Sequence, residues 1–480
     1  MAQFPREYQY VIKKFRLISH TGLEIDIWPQ VVEFCFQETI FGRTLHGSIT
    51  MAEALDLPTL LPMIGEERVQ ISFTRLNEED GLELDPISFE LPIYSLSDKM
   101  QEGKSGKRQT YTLSFCSEVS FKNINSVVSK AFKNMTYSEM VQEIYDTHLK
   151  IDKEIEIEET DGVMNFTVQN NRAIKAICQI GNRAKSVNKE NGSFFVFFED
   201  REKFYFYTMK GLLKKGMEDK SKIRTLYSGI KNLPKQDAGP GDFKDLAISM
   251  YNAETIEETN SGFDILNSAQ RGEGASSILT IDPIRRSFSF KTLDLRGNEA
   301  KTDVEKSVDS PATLEFLPNS DFSTIAGADA KKPWTSKSKI FVNPRANMRV
   351  VIGDAGQDTQ EYIAARDPQV RPYAPEEFAM QKQSEKSQFF RRPISTSIPG
   401  DPRIKPGTVI YFAIPEKLGN VSDTKPEELD KYLQGYYLVV GVAHIINKEK
   451  YKMNLELMRP TDHSDIQPRD PFQIFGAKME

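Results

Sequence analysis

The stretch Tyr436–Met458, YYLVVGVAHIINKEKYKMNLELM, reads as two β-strands joined by a short polar turn. In its second half Tyr451, Met453 and Leu455 alternate with Lys452, Asn454 and Glu456, so a one-residue slip would drive the polar set into the core. A similar pattern lies far upstream at Pro92–Glu118, PIYSLSDKMQEGKSGKRQTYTLSFCSE, with Tyr111, Leu113 and Phe115 in the matching places. The spacing agrees as well: Val69 precedes Tyr111 by 42 residues, and Val409 precedes Tyr451 by 42. Only the middle strands are offset, Ile93 lying 24 residues after Val69 and Tyr437 lying 28 after Val409. One chain therefore carries two β-meanders of the same kind.

The first 120 residues are dominated by period-2 strands. Val32, Phe34 and Phe36 share one face, as do Val69, Ile71 and Phe73, and turn signals separate the runs at Gly42, Gly47, Asn77–Gly81 and Glu102–Lys107. This spacing predicts a closed barrel or a sandwich of about 110 residues. The pattern then changes. Thr136 and Glu139 form a capping-box signature that opens a helix carrying Tyr137, Met140, Val141, Ile144 and Tyr145. A second helix is expected from Asn171 to about Lys185. Two aromatic strands follow around an Asp200–Lys203 turn, and the uninterrupted run Phe194–Phe198 predicts a strand buried on both faces rather than a ligand site.

Further on, strands are expected in LAISMYNAETI, FDIL, SSILTI and RRSFSFKTL, then in IFVNP and MRVVIGD, with a helix in APEEFAMQKQSEKSQFF opened by Pro375. A Ser/Thr/Asp/Lys-rich stretch, Leu295–Thr335, is weakly patterned apart from Ala312–Leu317. The late strands are TVIYFAI, YYLVVGV and YKMNLEL. The economical account is a duplicated barrel whose second copy is split by an insertion. The resulting divisions are a barrel at 1–120, an α+β module at 121–210, the first part of a second barrel at 211–290, an inserted domain at 291–395, the second part of that barrel at 396–460 and a tail at 461–480. Val409–Ile414 and Tyr436–Val442 are apolar on both faces, so their outward side chains need cover, which a partner subunit would supply. The candidate interface or barrel positions are Val69, Ile71, Phe73, Val409, Tyr411 and Val439.

Composition narrows the function. With 480 residues, two to four domains and sizeable cores are expected. Net charge is −7 with signs well mixed, which argues against a surface that grips nucleic acid. Cys35, Cys116 and Cys178 stand apart without CxxC spacing and read as reduced core thiols made in a cytoplasm. No secretory h-region and no membrane-length apolar run occur. The five histidines, His20, His46, His148, His444 and His463, show no metal or catalytic spacing, and His444 reads as a solvated residue near a hairpin turn. GxSxG and P-loop motifs are missing; Gln270–Ser277, QRGEGASS, lacks the lysine and helix that phosphate binding needs. No catalytic, cofactor or metal residue is expected, so the chain reads as a structural or interaction protein.

The order of these features resembles the central hub subunit of contractile-tail phage baseplates, a family that includes the hub portion of type VI secretion spike proteins. The resemblance rests on VVEFCFQETIFGRTLHGSITM with EERVQISFTR, then TYSEMVQEIYD, then SFFVFFEDREKFYFYTM, and finally IKPGTVIYFAI with the opening stretch. It implies two tail-tube-like antiparallel β-barrels plus α+β modules, and a homotrimeric ring of pseudo-sixfold symmetry. Such a ring adapts a sixfold tail tube to a threefold central spike and lets the genome pass without specific DNA binding. It implies a virion protein assembled in the host cytoplasm among other baseplate proteins, with no membrane partner. The alternatives are a hub of a phage-like secretion or bacteriocin machine, or a tail-associated peptidoglycan hydrolase with a site in 291–395.

Overall fold

The computed structural model describes residues 8–76, 82–102, 108–218, 222–228, 251–258, 275–283, 286–294, 348–353, 373, 375, 378–390, 393–413, 433 and 435–460. Most of 291–395, all of 461–480, and the expected strands FDIL and IFVNP lie outside them.

The chain is mostly β-sheet with few helices. Its first part comprises β1 (Val11–Ile18), β2 (Glu24–Asp26), β3 (Val31–Thr39), β4 (His46–Glu53), a short α1 (Leu57–Leu60), β5 (Arg68–Thr74), β6 (Ile87–Glu102) and β7 (Arg108–Cys116). Then come α2 (Glu118–Asn125), β8 (Val127–Thr136), α3 (Tyr137–Ile144), β9 (Ile155–Ile157), β10 (Val163–Arg172), α4 (Ala173–Gly181), β11 (Phe195–Glu199), β12 (Phe204–Thr208) and α5 (Met209–Glu218). The remainder is β13 (Arg224–Ser228), β14 (Asn252–Ala253), β15 (Thr255–Glu258), β16 (Ala275–Asp282), β17 (Ser287–Asp294), β18 (Met348–Ile352), α6 (Ala379–Phe389), β19 (Ile394–Pro399), β20 (Val409–Ala413), β21 (Gly435–Asn447) and β22 (Tyr451–Met458).

A 14-stranded sheet organises the molecule, in the order β14-β13-β20-β21-β3-β4-β7-β6-β5-β1-β2, with β22, β19 and β15 branching from β21. Two parts of it have the same connectivity. In one, β5, β6 and β7 run as consecutive antiparallel hairpins and β4 returns beside β7. In the other, β20, β21 and β22 do the same and β19 returns beside β22. Each is a Greek key read from its far end. The next strand out is antiparallel in both: β3 beside β4, and β15 beside β19. They diverge at the opposite edge, where β1 joins β5 antiparallel but β13 joins β20 parallel.

Alternation sets which side faces in. Tyr111, Leu113 and Phe115 are buried on β7, as are Tyr451, Met453 and Leu455 on β22, whereas Asn454 and Glu456 are exposed. Both sets enter one hydrophobic core with Phe15, Phe34, Phe36 and Phe73. Phe73 meets Tyr451 edge to face at 5.5 Å, so the packing crosses from one unit to the other. Two separate barrels were expected. Instead β21 pairs with β3, from Gly441 opposite Thr39 to Asn447 opposite Glu33, and no ladder among the described residues closes either unit. Close approach at the strands is bought with glycine: a Cβ on Gly47 would lie 2.4 Å from both the Cys35 carbonyl oxygen and the Phe115 ring, and one on Gly400 2.2 Å from the Tyr451 ring.

The α+β module forms as its pattern predicts. Thr136 and Glu139 make a reciprocal capping box, and α3 buries Tyr137, Met140, Val141 and Ile144 against α4 and the β8–β10 pair. The second helix is shorter than expected, ending at Gly181. The run Phe194–Phe198 is buried on both sides: Phe195 and Phe197 enter the module's core, while Phe194, Val196 and Phe198 face a third cluster. That cluster corrects one expectation. The outward residues Val409, Leu438 and Val440 are covered by Phe198, Met209, Leu212 and Phe389 of the same chain, not by a partner. The aromatic run supplies the missing cover.

Two further placements differ from the sequence reading. β16 pairs with β17 on one side and β18 on the other in a separate three-stranded sheet, so the division drawn at 290 falls inside β17. Period-2 alternation identifies a strand but not the sheet it joins. The late helix starts at Ala379, four residues after Pro375.

Candidate functional site

Where the two β units, the α+β module and the segment Gly400–Lys405 converge, the core carries a chain of buried polar side chains. Glu38 on β3, His444 on β21 and Tyr451 on β22 are each 0% exposed. The Tyr451 hydroxyl lies 2.7 Å from His444 Nδ1, and His444 Nε2 lies 3.2 Å from Glu38 Oε2. Because the ionised Glu38 carboxylate can only accept, the N–H of the neutral imidazole is assigned to Nε2, which leaves Nδ1 to accept from the phenol. Glu38 also accepts the Arg201 backbone N–H at 2.9 Å, and its Oε2 lies 3.2 Å from Arg201 Nη2. The Arg201 guanidinium in turn donates to the carbonyls of Pro402 and Ile404. Arg201 thus pins the β11–β12 turn to both β units.

A second knot sits alongside. Asp401 is 1% exposed and accepts from Arg403 Nε at 3.0 Å and from the Tyr251 hydroxyl at 2.7 Å. Arg75, immediately after β5 in the first unit, donates to the Gly400 carbonyl at 2.7 Å and approaches Asp401 at 3.8 Å. A third knot, Glu199, accepts from Leu45 N, Ser117 Oγ and Lys153 Nζ, tying the first unit to the module.

Electrostatics fixes the charge states. Burial alone would push the Glu38 carboxyl up, but Arg201 and the His444 hydrogen bond outweigh it and hold the pKa down at about 2. Burial pulls His444 below the ordinary imidazole range, so it is neutral. Burial also opposes ionisation of Asp401, and Arg75 and Arg403 reverse that, leaving it well below the usual carboxylate range. Burial pushes the Tyr451 phenol up, so it keeps its proton. An acid, an imidazole and a phenol in line are a general acid–base set in form, but none of the three is exposed. A groove of about 780 Å³ along β1 is lined by none of the three, and one of about 730 Å³ over β3, β15, β19, β21 and β22 is lined by Glu38 but by neither His444 nor Tyr451. What the arrangement does chemically is cross-link segments distant in the chain through desolvated charge.

The expectation of a solvated His444 is therefore overturned. Its signal was its position in a strand of buried residues, in phase with Val442 and Ile446. Of the candidate positions, Val69, Ile71, Phe73 and Val439 are in the shared core and Val409 is in the third cluster. Tyr411 is half-buried and packs edge-on against the exposed Tyr436 at 5.1 Å. The three cysteines are free and partly buried. No group of metal-ligating residues stands together among the described residues, and no helix there is long and apolar enough to cross a membrane.

The other face of the sheet is built differently. Across strands it carries Ser95 and Ser97 of β6, Thr110, Thr112 and Ser114 of β7, and Ser48 and Thr50 of β4. It continues through Cys35 and Gln37 of β3 and Ala443 of β21 to Asn454, Ser397 and Thr255 in the second unit. Short hydroxyl side chains dominate it. The 730 Å³ groove lies on this face across the β3–β21 junction, where Gln37 and Thr39 of β3 line it together with second-unit residues that include Glu257, Lys452 and Glu456.

No protein-family model matches the chain, and no curated protein matches it. Solved structures align along nearly its whole length. They include phage tail proteins, a virion baseplate and a component of a type VI secretion system. A tail protein from Neisseria meningitidis MC58 is 10% identical, with 94% of this chain and 97% of that one covered and a TM-score of 0.49. The 43 kDa tail protein of prophage MuSo2 from Shewanella oneidensis is 7% identical, with coverage of 94% and 99% and a TM-score of 0.49. A component of the Escherichia coli type VI secretion system is 9% identical, with coverage of 96% and 80% and a TM-score of 0.39.

Proposed function

We propose that the chain is the structural baseplate hub of a contractile tail. Three copies form a ring of pseudo-sixfold symmetry in which each β unit acts as one tail-tube-like element. The ring seats a sixfold tail tube on one side and a threefold central spike on the other, among other baseplate proteins, in a virion tail assembled in the host cytoplasm. The observation that carries this reading is the shared connectivity of the two β units and their edge-to-edge junction at β21–β3. Repeats joined within one chain are what a threefold assembly needs to present six similar elements. The hydroxyl-rich face gives such a ring a lining without a cationic grip, and the net charge of −7 agrees with passage of DNA rather than its retention.

Light scattering after size exclusion should give a mass three times that of the chain, and averaged electron micrographs should show a central hole with a near-sixfold inner outline inside a threefold outer one. A clean monomer at micromolar concentration, or a particle without a hole, contradicts the reading.

The role proposed includes no catalysis. Labelled cell walls incubated with the protein should release no dye above buffer, and a DNA fragment should not shift at physiological salt. Dye release that vanishes when one carboxylate in 291–395 is neutralised would establish a hydrolase instead.

A further inference from the structure

We propose that one subunit joins the next through the open edge of β6 on one copy and the open edge of β15 on the other, in the register that β21 and β3 use inside the chain. The inference rests on the hub reading and goes further by naming the two edges and their residue pairs. The equivalence is read from the ladders. Leu113 of β7 stands between Leu96 of β6 and Ile49 of β4, and Met453 of β22 stands between His444 of β21 and Ile398 of β19. One strand further out, Ser48 faces Cys35 of β3, and its counterpart Ser397 faces Thr255 of β15. β6 is therefore the counterpart of β21, and β15 of β3.

Within the chain, Ala443 opposes Gln37, His444 opposes Phe36, and Ile445 opposes Cys35. Carried over position by position, Ser95 opposes Glu257, Leu96 opposes Ile256, and Ser97 opposes Thr255 of the next subunit. Both edges are open among the described residues. β5 pairs with β6 only as far as Pro92, and from Ile93 onward β6 pairs only with β7. β15 pairs only with β19. The free half of β6 displays Tyr94 at 54%, Leu96 at 37% and Met100 at 60% exposure. An open edge with apolar side chains is a template for another strand. The proposed register puts Leu96 against the half-buried Ile256 on the core side and continues the Ser/Thr face from Ser95 and Ser97 to Thr255.

Directly opposed residues of antiparallel strands hold their Cβ atoms about 4.5–5.5 Å apart, close to disulfide reach. The full-length double variant Ser95→Cys with Glu257→Cys, mildly oxidised, should therefore run as a covalent trimer on a non-reducing gel. Wild type, with its three native thiols, and each single variant should stay at the monomer position, and a mixture of the two singles should stop at a two-chain band. The pair Leu96→Cys with Glu257→Cys, whose side chains leave opposite faces, should not cross-link. If light scattering shows a trimer but the double variant gives no covalent trimer, or closes a disulfide within one chain, the edge assignment is overturned and the hub reading stands. If no trimer forms at all, the hub reading fails and this junction fails with it.

Discussion

Replacing Asp401 by alanine should destabilise the protein by about 3–5 kcal/mol, the range found when one partner of a buried ion pair is removed. Arg75 is 1% exposed and comes from the first β unit; without Asp401 its buried charge loses a carboxylate 3.8 Å away. Tyr251 and Arg403 lose an acceptor at the same time. The check is the urea midpoint of the single variant beside that of Asp401→Leu combined with Arg75→Met. The double variant should recover much of the loss, because it removes the buried cation together with the anion it faces. Equal destabilisation by single and double variants would mean that packing, not charge, governs the knot.

Acid should unfold the molecule through Glu38. Its carboxyl sits at about 2 in the folded protein against an ordinary 4.5, so the unfolded chain takes up the proton first. A depressed carboxylate contributes its stability in full above pH 4.5 and loses it as pH falls toward 2. The whole shift corresponds to about 3 kcal/mol. Asp401 acts in the same direction, and so does His444, whose lowered pKa favours proton uptake by the unfolded chain from about pH 6.5 downward. Urea midpoints measured from pH 7 to pH 3 should fall steadily, and Glu38→Gln should start lower at neutral pH but show a shallower acid limb. An unchanged slope in that variant would remove Glu38 from the account.

Much of the fold was legible because alternation and capping are local. Tyr111–Phe115 and Tyr451–Leu455 declare their inward faces in five residues each, Thr136 and Glu139 mark a helix start in four, and Phe194–Phe198 announces burial on both sides. The ionic seam was not legible. Glu38, Arg75, Arg201, Asp401 and His444 are single polar residues from distant segments, each ordinary in its own neighbourhood, and only tertiary folding places them together. The destination of β16 and β17 was hidden for a related reason: their alternation fits either sheet, and the partner strand β18 lies more than 50 residues downstream.

The junction of β3 with β21 also dictates an order of events at the ribosome. The segment between them, about 400 residues, takes about 20–80 s to emerge at 5–20 residues per second. Throughout that time β3 has β4 on one side and nothing on the other, and Glu38 waits without His444. The first β unit is thus made early but finished last, holding an unpaired strand edge open to neighbouring nascent chains. Slower elongation lengthens that exposure, so the yield of soluble protein should depend more on chaperone supply and translation rate than the stability of the finished fold would suggest.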